Sequence, residues 1–313
     1  MKNLIIYSHK DCLLKDNGPN HPERKERLQT IIESSKNIEN IKIDFQDSPI
    51  ADLKYIKLVH QADYIEKIFS KIPTEGLVSV EKEPYADTFL CSNSKNAILR
   101  SCGSGLIASD KIIANKENRI FCAVRPPGHH AETKKALGFC FVNNVAVTAR
   151  YLQAKYQINK IAIIDFDVHH GNGTQEIFYN DETIAYGSIH QSPLFPGTGF
   201  EDERGVGNIF NASIKPGTKS DEYIEIFEHK ILSKIDNFKP EIILLSAGFD
   251  AHIRDPLSQI NLEAEDFKII TKKIVQIANI HSEGRIISFL EGGYDLLALS
   301  LSINEHLKAL VLN

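Results

Sequence analysis

The chain has 313 residues, of which 42% are hydrophobic and 25% charged, a balance that builds one large globular core without covalent staples. Its formal net charge is −5, with no large basic footprint, which argues against direct binding to a nucleic-acid backbone. The five cysteines (Cys12, Cys91, Cys102, Cys122 and Cys140) are odd in number, and no two are spaced C-x-x-C. That argues against a disulfide scaffold and against a thiolate zinc site, and for a reducing compartment.

The elements follow in chain order. "LIIYS" (4–8) reads as a first strand, since its apolar run is too short for a signal peptide. No apolar run approaches the ~20 residues of a membrane helix, so no membrane partner is expected, and the location is read as cytoplasmic, with export by a route that needs no signal peptide left open. Helical periodicity covers about 22–35, 62–72 and 93–114, then "RIFCAV" (119–124) reads as a buried strand. A helix over about 143–156 precedes two more apolar runs, "KIAIIDFDV" (160–168) and "TIAYGSI" (183–189). The stretch 219–237 carries one apolar stripe, with Ser220 as its expected N-cap and acids in the first turn. "EIILLSAGF" (241–249), a helix over 263–282, "RIISFL" (285–290) and a helix over 295–311 complete the chain. Strands alternating with helices predict an α/β fold on a mainly parallel sheet, read as one domain over residues 1–313. In such sheets ligands collect beyond the carboxyl ends of the strands.

Three strand ends carry unusual chemistry. In "IAIIDFDVHHGNGTQ" an apolar run meets Asp165, Asp167 and His169, spaced by two, which an extended chain would point to one face. Two carboxylates and an imidazole at the end of a buried strand need positive charge among them, which a divalent metal supplies. Asp250 ends the run "EIILLSAGFD" and would complete an Asp–His–Asp set. Three protein ligands leave positions open for water and substrate, as in a catalytic site. Such donors suit Zn²⁺, and equally Fe²⁺, Mn²⁺ or Co²⁺. In "SFLEGGYD" two glycines place Tyr294 at a strand mouth, where a phenol can donate to a developing oxyanion. The histidine pair His129–His130 in "RPPGHHAE" offers groups that titrate near pH 7.

"HPERKERL", "RPPGHHA", "GFCFVNNVAV", "DFDVHHGNGTQ", "SIHQSPLFPGTG", "SAGFDAH" followed by "DPL", and "EGGYD" together resemble the histone deacetylase family, in its class II-like branch. The resemblance covers nearly the whole chain. It implies the arginase–deacetylase fold, with about eight mainly parallel strands flanked by helices. It also implies zinc-dependent hydrolysis of an N-acetyl amide, typically on a lysine side chain of a protein or peptide.

Carried onto matching positions, the resemblance makes Asp167, His169 and Asp250 the metal ligands, His129 and His130 the tandem catalytic histidines, and Tyr294 the oxyanion donor. Asp165 partners the first histidine and Asn172 the second, where class I members carry Asp. Phe139 and Phe195 match the walls of a substrate tunnel, with Gly138 at its floor and Gly293 beside the tyrosine. Asp87 in "YADTFL" matches a rim aspartate that holds substrate backbone. A structural K⁺ site is implied at Asp165, Asp167, His169, Ser188 and Ile189.

Polyamine-selective relatives carry a gatekeeper Glu seven residues beyond the third metal ligand, where this chain has Leu257. Acyl-lysine in a peptide is therefore expected over acetylpolyamine, which stays as the alternative. A two-manganese ureohydrolase and a non-catalytic metal-binding module are the other readings. The first would need a second ligand set that the sequence lacks. The second is opposed by His130 and Tyr294. The sequence leaves the oligomeric state open.

Overall fold

The expected apolar runs become the interior strands of one sheet in the computed structural model, which describes residues 2–80, 86–114 and 118–312. The strands are β1 (Lys2–Ser8), β2 (Ile41–Asp47), β3 (Val78–Ser79), β4 (Phe89–Leu90), β5 (Arg119–Cys122), β6 (Ile161–Asp165), β7 (Ile184–Gln191), β8 (Ile209–Ile214), β9 (Ile242–Ala247) and β10 (Ile286–Leu290). Eight of them form a sheet in the order β2-β1-β5-β10-β9-β6-β7-β8, while β3 and β4 pair separately. Every neighbouring pair in the large sheet is parallel. Strands β6, β9 and β10 are buried at every position, which is why they read as unbroken Ile/Leu/Val runs.

Helices cover both faces. Ser288 on β10 faces the helix Leu296–Leu312, hydrogen-bonding His306 Nε2 at 3.0 Å. Its neighbour Phe289 points the other way, to the helix Ser94–Ile113, where a Cβ on Gly105 would lie 2.7 Å from its ring. His306 is itself a core residue, held neutral by burial and satisfied by Thr271 Oγ1 and Ser288 Oγ. Among the described residues no helix is long and apolar enough to cross a membrane. All five cysteines are buried free thiols.

Three local expectations change. Ser220 is not the N-cap: Lys219 takes that position without a side-chain cap, and Ser220 Oγ donates instead to Asp266 on the neighbouring helix. The helix expected over 219–237 contains a π-helical turn at Phe227–Leu232. Strand β6 ends at Asp165, so strand alternation does not aim Asp167 and His169. Local turns do: Asp167 N–H donates to Asp165 Oδ1 (3.1 Å), and His169 N–H donates to Asp167 Oδ1 (2.9 Å).

Candidate active site

The chemistry gathers where the fold class places it, beyond the carboxyl ends of adjacent strands. His129 and His130 follow β5, Glu291 to Tyr294 follow β10, Asp250 follows β9, Asp165 ends β6, and Asp167 and His169 follow it. Asp167, His169 and Asp250 are buried, and one ligand atom from each lies within 4.8 Å of the others. His169 Nδ1 is 3.1 Å from Asp167 Oδ1 and 3.1 Å from Asp250 Oδ2. The remaining carboxylate oxygens are tied to backbone: Val168 N–H donates to Asp250 Oδ1 (2.9 Å) and Gly292 N–H to Asp167 Oδ2 (2.7 Å). Only glycine allows the second contact, since a Cβ at position 292 would lie 2.0 Å from Asp250 Oδ2. Burial and the Asp167 charge raise the Asp250 carboxyl above its ordinary range. Two crowded carboxylates and one imidazole thus form a small oxygen–nitrogen pocket that favours a cation. The donor set fits a divalent ion with open coordination positions.

Beside this cluster the two histidine rings lie 3.9 Å apart between centroids, tilted by 44° to each other, with unequal partners. His129 Nδ1 donates to Asp165 Oδ2 (3.0 Å), which also accepts from the Tyr186 hydroxyl (3.1 Å). His130 Nδ1 meets Asn172 Oδ1 at 2.8 Å. Burial alone would depress His129, but the charges of Asp165, Asp167 and Glu291 outweigh it and raise its pKa to about 10. His130 is pushed well below 6.5, by burial and then by positive charge on His129 and His169.

Tyr294 stands over a buried ionic brace. The Arg27 guanidinium lies 4.8 Å from the phenol ring centroid and donates to the carbonyls of Gly293 (2.6 Å) and Glu291 (2.6 Å). Glu23 pairs with both Arg27 (3.3 Å) and Arg125, and all three side chains are fully buried. Asp255 takes the Tyr294 N–H (2.7 Å) and the Leu257 N–H (3.0 Å). Burial raises the Tyr294 phenol well above 10, so it stays a hydrogen-bond donor.

A cavity of about 350 Å³ opens over these groups, with His129, His130, His169 and Tyr294 among its lining residues. Gly138, Phe139, Phe195, Leu257 and Asp87 also line it. Gly293 does not: Gly292 lines the cavity, and Gly293 turns behind the tyrosine at φ +116°, against Phe249 and Leu299. Gly138 has φ +55°, and a Cβ there would lie 2.4 Å from His130 Cδ2. The Phe195 ring stands edge-on to His130 at 5.1 Å, and Phe139 edge-on to His21 at 4.7 Å. Asp87 also accepts from His21 Nε2 through its backbone carbonyl (2.9 Å). Asp165 and Ser188 are paired in register across β6 and β7, with Ile189 next along the strand.

The sequence profile of the histone deacetylase domain matches residues 21–310. The chain belongs to the histone deacetylase family. The histone deacetylase fold is also shared with the crystal structure of the HDA15 HD domain, at TM-score 0.90 and 29% identity, over 98% of this chain and 90% of that one. A "Type-2 histone deacetylase 2" of Dictyostelium discoideum is 36% identical over 99% of this chain, which spans only 21% of that protein. A "Probable deacetylase" of Archaeoglobus fulgidus is 33% identical over 93% of this chain and 81% of its own length. This histone deacetylase domain is accordingly a hydrolytic deacetylase, from a family generally dependent on a metal and acting on acetylated substrates.

Several residues of this deacetylase domain are not legible in the sequence. Glu291, fully buried, accepts the backbone N–H groups of Gly128 (2.7 Å) and His129 (3.2 Å) and so holds the histidine turn; burial raises its pKa to about 7. Glu23, Arg27 and Arg125 lie within quoted motifs, yet nothing in their spacing says that they meet under Tyr294. Only the i, i+4 spacing of Glu23 and Arg27 hinted at a pair.

Proposed function

We propose that this domain removes acyl groups from the side-chain amine of lysine in proteins or peptides, using one Zn²⁺ held by Asp167, His169 and Asp250. The observation that carries this reading is the convergence of that ligand set, two histidines with unequal partners, and a phenol on one narrow cavity. A cation bound there would polarise an amide carbonyl and acidify water.

The chain's own groups supply the rest. His130, pressed toward its neutral form, accepts a proton from the attacking water at Nε2 and returns it to the departing amine. His129, held by Asp165, stays charged and adds positive potential beside the oxyanion. Tyr294 donates its hydroxyl proton as a hydrogen bond to that oxyanion. The C–O bond from the water forms first and gives the oxyanion; its collapse restores the carbonyl and breaks the C–N bond as the nitrogen takes the proton from His130, leaving a carboxylate and a free amine. Phe139 and Phe195 flank a neutral methylene stem, and Asp87 at the rim takes N–H groups of the substrate backbone.

Leu257 supports a peptide over an acetylpolyamine: it lines the cavity with an apolar side chain where a second cationic amine would need a counter-charge. A structural K⁺ beside Asp165, Asp167, His169, Ser188 and Ile189 belongs to the same proposal, supported by the register of Asp165 and Ser188. Five buried free thiols support a reducing, cytoplasmic setting. The test is kcat/KM on an acetyl-lysine peptide, N-acetylputrescine and acetylspermidine. The peptide is expected to be preferred; higher values on the polyamines would overturn the substrate assignment.

A further inference from the structure

We propose that Glu132 is a positioning residue that sets the tautomer of His130 by orienting the Asn172 amide. The inference rests on the reading of His130 as the proton-transfer group. The amide nitrogen of Asn172 faces Glu132 Oε1 at 2.8 Å and the His130 backbone carbonyl at 3.4 Å. Both are acceptors, so the NH₂ end must occupy that side. The amide oxygen then faces His130 Nδ1, at 2.8 Å. An amide oxygen only accepts, so Nδ1 carries the hydrogen, and the neutral ring keeps its lone pair on Nε2.

Asparagine creates a requirement that aspartate would not. A carboxylate presents an acceptor to Nδ1 in either orientation, whereas an amide turned by 180° presents a donor. A turned amide would force the hydrogen onto Nε2, the atom that must accept the water proton. Without Glu132 only the 3.4 Å contact to the His130 carbonyl opposes that turn. Glu132 is itself held: its N–H donates to the Lys135 carbonyl (2.9 Å), and its carbonyl accepts from His60 Nδ1 (3.0 Å). Thr133, next in the chain, is bound through N–H and Oγ1 by the Glu176 carboxylate at 3.0 and 2.9 Å. The backbone that carries the carboxylate is thus fixed beside the amide.

The test uses the metal-loaded protein and an acetyl-lysine peptide. Glu132→Ala is expected to lower kcat by roughly 10-fold, the low end for losing a partner that orients an active-site imidazole, with KM and metal content unchanged. Glu132→Gln still offers a carbonyl oxygen to the amide and is expected to restore kcat to within about twofold. Glu132→Lys offers a donor, turns the amide, and is expected to cost more than Glu132→Ala. In an Asn172→Asp background, Glu132→Ala is expected to cost nothing further, because a carboxylate needs no orienting. Full kcat in Glu132→Ala, with His130→Ala inactive, would overturn this inference alone. Turnover retained in His130→Ala would instead overturn the reading of His130. Should Glu132→Ala not fold, equal kcat in the Gln and Lys variants would overturn the inference.

Discussion

Asp165 Oδ2 lies 3.0 Å from His129 Nδ1, so the first histidine of the pair is bound to a charge while the second is bound to an amide. That inequality assigns different work to adjacent residues. On the proposed reading, loss of His130 removes the proton-transfer group, an expected change of about 10²- to 10⁴-fold in kcat. Loss of His129 removes a neighbouring charge and is expected to cost at least about tenfold less. Measuring kcat for His130→Ala and His129→Ala, with metal content checked in both, decides the matter. Equal losses would contradict the assignment.

Tyr294→Phe keeps the ring that packs over Arg27 and removes only the hydroxyl. The expected result is unchanged metal content and thermal stability, with turnover lower by roughly 10²-fold, the usual cost of one oxyanion donor. Near-normal turnover would take Tyr294 out of the reaction.

Gly138→Ala tests how closely the tunnel is built around the proton-transfer group. The added methyl would sit 2.4 Å from His130 Cδ2, on backbone already at φ +55°. The imidazole must move, and a displacement of about 1 Å at a reacting group costs on the order of 10²-fold. The loss is expected in kcat, with metal content intact. Wild-type kcat would show that the ring has room to spare.

Glu23 makes a prediction about stability rather than turnover. Burial opposes its charge, but Arg125 and Arg27 outweigh that and hold its pKa at about 2, below the ordinary 4.5. Because the folded pKa is depressed, its contribution is fully present above pH 4.5 and is lost as pH falls from 4.5 toward 2. The amount is roughly 3 kcal/mol, from about 1.4 kcal/mol per unit of displacement. Denaturant unfolding across that window is expected to show a steeper acid loss in wild type than in Glu23→Gln. Parallel curves would contradict the role of the buried brace.

Much of this was legible in the sequence because the interior of the sheet is unbroken apolar chain. β6, β9 and β10, buried on both faces, left no other reading. The two large-sheet strands that gave no such run, Ile41–Asp47 and Ile209–Ile214, are the sheet's two edges. Their sequences, "IKIDFQD" and "IFNASI", mix polar with apolar residues because an edge meets solvent or loops. The ligand set and histidine pair were readable as chemistry concentrated at strand ends. Glu291, Glu132 and the Glu23–Arg27–Arg125 brace were not, because each acts through contacts that only the folded chain creates. The sequence cannot say which of two glycines faces the cavity, and the fold puts Gly292 there with Gly293 behind it.

Hydrolysis by this domain is expected to depend on one divalent cation held by Asp167, His169 and Asp250. Titrating Zn²⁺ into chelator-stripped protein, while following bound metal and acetyl-lysine hydrolysis together, tests it most directly. Turnover is predicted to rise in proportion to the first equivalent bound and then to level off, with neither binding nor turnover in Asp250→Asn. Full turnover without metal, or a requirement for two equivalents, would contradict the account.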